Sequence, residues 1–163
     1  MKRSLLCAAL VVATGCAPQS DEAVKAKPAA PKHIVLFRTK LGPFVEETRA
    51  IAKRRKMEWL TLKEIDEKLA KIKDLYARMP EVPSELDKDG VISKLIRNIF
   101  ENIDDDRKGQ WALEYSGMSQ RAFNAATGDS DGKRATEHRL KEASVLAKLV
   151  DELEAQSGLL DQE

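Results

Sequence analysis

The stretch "TLKEIDEKLAKIKDLYARMP", Thr61–Pro80, decides the fold. Thr61 and Glu64 have the spacing of a capping box, in which each side chain satisfies the other residue's orphan backbone donor. Leu60 and Ile65 flank it at the staple positions, so a helix starts at Leu62. Leu62, Ile65, Leu69, Ile72, Tyr76 and Met79 then recur three or four residues apart and fall in one seam. Glu64–Lys68, Glu67–Lys71 and Asp74–Arg78 are acid-first pairs one turn apart. Pro80 and Pro83 stop the helix. A helix this short with one apolar seam draws its stability from other helices packed on it.

Those partners are legible on both sides. Downstream, "VISKLIRNIFENI" carries a broad apolar stripe of Val91, Ile92, Leu95, Ile96, Ile99, Phe100 and Ile103, which makes it the expected central helix. "DDDRKG", Asp104–Gly109, reads as the turn that closes it. Short helical pieces follow over Gln110–Ser116 and Ser119–Ala126, each with a glycine just beyond its end. "GDSDG" is a loop, and a last helix spans Lys133–Ser157 with Leu140, Ala143, Leu146, Val150 and Leu153 on its apolar side. Gly158 followed by Leu159 fits a Schellman-type end. Upstream, a charged helix is expected from Phe44 to about Trp59. Before it, Ile34–Phe37 reads as an extended segment ended by Gly42-Pro43. The fold class is all-α: a small, irregular, antiparallel helix bundle.

The first residues are of another kind. Lys2 and Arg3 precede an apolar run, Leu5–Ala13, that is too short to span a bilayer as a helix. This is the layout of a secretory signal. The run ends in "ATGC", Ala13–Cys16, and here the chain resembles the bacterial lipoprotein signal. Ala13 stands where that class most often has leucine, with Leu10 and Val12 keeping the slot apolar. The resemblance implies cleavage after Gly15, a diacylglyceryl group on the sulfur of Cys16 and acylation of its new amine. It also implies the periplasmic face of the outer membrane, because Ala17 rather than Asp follows the cysteine. The alternative is an ordinary signal cut after Ala17, with Gly15 and Ala17 as the small pair. Two or three acyl chains would hold permanently where one holds only marginally.

The expected organisation is a signal peptide over 1–15, then the lipidated Cys16, a tether and the extended segment up to 43. The helical domain covers 44–158, and an acidic tail 159–163. The tether, Ala17–Lys32, holds Pro18, Pro28 and Pro31 and reaches about 20 Å as a flexible coil.

Composition narrows the chemistry. Loss of Lys2 and Arg3 with the signal takes the net charge from +1 to −1, which argues against nucleic acid as a partner. The only cysteines are Cys7 and Cys16, so the expected mature domain has no thiol for a disulfide, a zinc site or a nucleophile. His33 and His138 are the only histidines, so the usual base of a serine-type triad is scarce, and no carboxylate pair stands out among the many acids. The domain is therefore read as non-catalytic, with no cofactor.

Four small features could bind something. "DKDGVIS", Asp87–Ser93, resembles part of an EF-hand calcium loop, but the closing position holds Ile96 instead of a bidentate glutamate. The competing reading is that Asp87 or Asp89 caps the helix that follows. "TGDSDGKRATEH" has His138 at its closing position and reads as a polar turn. His138 and Glu142, one helical turn apart, are two ligands at most and read as a solvated face. "KRRK", Lys53–Lys56, could meet lipid phosphates near an anchor, and otherwise reads as an exposed basic face. The expected function is a membrane-anchored accessory that docks an envelope protein in assembly or exclusion. The alternative is an envelope module that binds calcium or another ligand through Asp87 and Asp89.

Overall fold

A computed structural model describes residues 30–159. The expected signal, the expected lipidation site Cys16 and most of the Pro/Ala-rich segment read as a tether lie outside these residues, as do the last four residues of the acidic tail. Five helices are described: α1 (Lys32–Met57), α2 (Leu62–Ala77), α3 (Val91–Tyr115), α4 (Gln120–Ala126) and α5 (Lys133–Ser157). The four long helices pack in a ring, α1 on α2, α2 on α3, α3 on α5 and α5 on α1. Cross-helix contacts give their directions. Between α1 and α2, Glu47 meets Lys71 and Arg54 meets Glu64; between α2 and α3, Asp66 meets Arg107 and Leu62 N–H donates to Glu114; between α1 and α5, Arg38 reaches the carbonyl of Ser157 at 2.7 Å and Arg139 that of Arg55. Each helix thus runs against its neighbours, as the sequence reading expects. None of the described helices is long and apolar enough to cross a membrane.

The Thr61–Glu64 capping box is present, with Glu64 N–H donating to Thr61 Oγ1 at 3.2 Å and Thr61 N–H to Glu64 Oε2 at 2.9 Å. Leu60 beside it is buried. Ile65, Leu69 and Ile72 face the core, where they meet Phe37, Phe44, Ile99, Ile103, Leu146 and Leu153. Tyr76 stays half exposed but packs its ring edge-on to Phe100, 5.5 Å between centroids.

Three expectations are corrected. Ile34–Phe37 is not extended, because α1 starts at Lys32 and passes straight through Gly42-Pro43. The apolar residues Ile34, Phe37, Leu41, Phe44 and Ile51 form one buried stripe with Thr48 and Arg55, and their burial outweighs the proline. Pro43 lies on the exposed side, where a helix is convex and a lost N–H is tolerated best. Second, "DDDRKG" is not a turn; it lies inside α3. Every charged side chain in it finds a helical or cross-helix partner: Asp104 and Asp105 with Lys108, Asp106 with Arg55, and Arg107 with Asp66. Third, only Asp74–Arg78 forms among the expected pairs along α2. Lys68 and Lys71 turn to Glu47 instead, where two cations share one carboxylate that is 11% exposed.

Candidate functional site

The cleft grows out of a difference in helix length. Arg55, in the last turn of α1, lies level with Asp106 of α3. Beyond that point α1 stops at Met57, while α3 continues to Tyr115 and α5 rises from Lys133. Trp59 of the α1–α2 turn and the short helix α4 close over the space between them. They leave a cavity of about 530 Å³, with Leu113, Met118 and Phe123 among its apolar lining and Asp106, His138 and Glu142 among its polar lining.

Both ends of α4 are built locally. Ser119 caps its start by accepting from Ala122 N–H at 3.2 Å. Its far end is held through Asn124, whose carbonyl accepts from Asp129 N–H at 2.7 Å and whose side chain accepts from Gln120 at 2.8 Å. The turn to α5 then repeats the turn to α3. Asp87 accepts from Ile92 N–H at 2.7 Å and Ser93 N–H at 3.3 Å, and Asp129 accepts from Arg134 N–H at 3.0 Å and Ala135 N–H at 2.8 Å. In both, the glycine before the helix, Gly90 or Gly132, takes the left-handed conformation. The two Asp-x-Asp-Gly segments are thus one helix-start device used twice. Asp87 caps α3, which is the competing reading of that loop. The Ala135 and Arg134 amides hold the Asp129 carboxyl below its ordinary pKa against a smaller effect of desolvation.

The cavity is floored by a buried polar chain. Arg55 is 2% exposed, so it is not part of the exposed basic face expected for Lys53–Lys56. Its Nη1 donates to Asn102 Oδ1 at 2.7 Å, and its Nη2 lies 2.8 Å from Asp106 Oδ2. The Asn102 amide donates in turn to Glu142 Oε2 at 3.0 Å. His138 Nδ1 stands 4.0 Å from Glu142 Oε1, which brings the His138–Glu142 pair to the cavity wall. Arg139 donates to the carbonyl of Arg55 and ties α5 to the end of α1. Two buried nitrogens of Arg55, Nε and Nη2, have no aligned acceptor. Burial lowers the pKa of Arg55, with Asp106 opposing. Burial also pushes Asp106 above its ordinary range despite Arg55, and nearby Glu142 adds to the rise.

Sequence reasoning singled out His138 and Glu142 but missed Arg55, Asn102 and Asp106. The available signal was Arg55 itself, which continues the apolar stripe of α1 by a three- or four-residue step. His33 lies far from this site, 3.0 Å from Glu85. Asp89 is exposed and caps nothing. Among the described residues no group of three or more His, Cys, Asp or Glu side chains is placed to hold a metal. Comparison with known protein families, curated proteins and solved structures finds no match.

Proposed function

We propose that this chain is a bacterial envelope lipoprotein, anchored through Cys16, whose helical domain is a non-catalytic accessory that docks one protein partner. The reading of the anchor rests on the "ATGC" segment and the apolar run before it. The observation that carries the docking role is the cleft beyond the end of α1 and the aromatic surface beside it. Phe123 lines the cavity while 44% exposed. On the same end of α3, Trp111 and Tyr115 stack with centroids 5.1 Å apart while 52% and 81% exposed. Exposed aromatics next to an apolar pocket are the common anchors of protein interfaces.

The calcium reading has less support, because both oxygens of Asp87 accept hydrogen bonds from the start of α3. The test is in-cell crosslinking of the full-length, C-terminally tagged protein, purified from membranes and analysed by mass spectrometry. The expected result is an acylated N-terminal Cys16 and one envelope protein in near-stoichiometric amount. An unmodified N-terminus sinks the anchor, and recovery of the bare chain sinks the docking role.

A further inference from the structure

We infer that the cavity between α3, α4 and α5 receives a basic side chain of the protein partner, with arginine favoured over lysine. This rests on the docking role proposed above and deepens it.

Asp106 is matched by Arg55 behind it, and the largely exposed Asp105 by Lys108. Glu142 has no lysine or arginine partner among the described residues; its neighbours are the Asn102 amide at 3.0 Å and His138 at 4.0 Å. Its side chain is 34% exposed at the cavity wall, so it is partly withdrawn from water yet open to an incoming group. Asn102 fixes one oxygen of this carboxylate, and Arg55 fixes Asn102. The carboxylate is therefore held in place before any ligand arrives, which spares an incoming cation the cost of ordering it.

The walls suit the rest of such a side chain. Trp59 and Phe123 offer aromatic rings, and Leu113 and Met118 offer apolar surface for a methylene stem. A guanidinium fits better than an ammonium because it is planar, stacks on aromatic faces and is less strongly hydrated. The volume of about 530 Å³ exceeds one side chain and leaves room for an apolar neighbour on the partner segment.

The test uses the full chain in detergent with Trp111→Phe, so that Trp59 becomes the sole tryptophan and reports from the cavity. Its emission is followed while adding acetyl-leucyl-arginine amide, or the citrulline counterpart, which has nearly the same shape without the charge. The expected result is a saturable change with the arginine peptide at an affinity at least about tenfold tighter than with citrulline. Glu142→Gln removes that preference. If that variant does not fold, Phe123→Ser at its exposed site carries the test by weakening the arginine peptide. Equal binding of the two peptides, no saturable change at millimolar peptide, full preference in Glu142→Gln, or undiminished arginine-peptide affinity in Phe123→Ser overturns the inference. A crosslinked envelope partner with no arginine preference overturns this inference alone. An arginine preference with no partner recovered in cells overturns the docking role instead.

Discussion

Arg55 and Asp106 form an ion pair, 2.8 Å from Nη2 to Oδ2, at side-chain exposures of 3% and 16%. It joins the last turn of α1 to the middle of α3, at the level where the apolar core ends and the cavity begins. Desolvating two charges costs about as much as their attraction returns, so such a pair is weak support for stability. Loss of one partner is another matter. Arg55→Ala strands Asp106 and is expected to cost about 3–5 kcal/mol in urea unfolding. Arg55→Met combined with Asp106→Leu is expected to be neutral or stabilising, and to abolish docking. A double variant as unstable as Arg55→Ala would show that the pair holds the fold rather than serving the cleft.

Glu47 gives stability a defined acid limb. Desolvation raises its pKa, but Lys71 and Lys68 together outweigh this and hold it below the ordinary 4.5. A lowered carboxylate contributes stability that is full above its unfolded pKa and is lost as pH falls through the folded one. Asp106 has the opposite sign: its raised pKa favours the folded state below the unfolded value of 3.8, and this is lost as pH rises through the folded pKa. Glu47→Gln should therefore cost about 1 kcal/mol at neutral pH and flatten the decline below pH 4.5. Unfolding midpoints across an acid titration would check it, and an unchanged limb would refute the assignment.

Pro43 is a local conflict inside a long helix. It removes the N–H that would donate to the Thr39 carbonyl and crowds that carbonyl with its ring. Since Pro43 is exposed and no packing depends on its ring, Pro43→Ala should stabilise the domain by about 1 kcal/mol or more. Thermal unfolding reads this directly. A lower midpoint would mean that the proline sets a bend the packing of α1 requires.

The Asp87 cap separates two readings of one loop. Asp87→Ala should cost about 1 kcal/mol, because two amides of the first turn of α3 lose their acceptor, while Asp89→Ala should change little. Millimolar calcium should leave the unfolding midpoint where it is. A calcium-dependent rise, abolished by either variant, would revive the ion-binding alternative.

Legibility in the sequence followed the range of each interaction. The start of α2 was readable because Thr61 and Glu64 complete their exchange within one turn, and α5 because glycines bracket it. The start of α1 was hidden: four apolar residues in a row have no visible period, and Pro43 looks like a stop until the burial of Leu41 and Phe44 is known. The continuity of α3 through Asp104–Gly109 depends on Arg55 and Asp66, residues of other helices. The site was least legible, because a cavity made by two helices outrunning a third appears only once the bundle is assembled.

Docking of a partner at the cleft on this end of the bundle can be tested in cells. A direct test places a photo-reactive phenylalanine analogue at position 123 in the full-length chain, with the same analogue at position 145 on the exposed side of α5 as a control. After irradiation of living cells, the account predicts one covalent adduct with an envelope protein from position 123 and none from position 145. No adduct from position 123, or the same adducts from both positions, would contradict it.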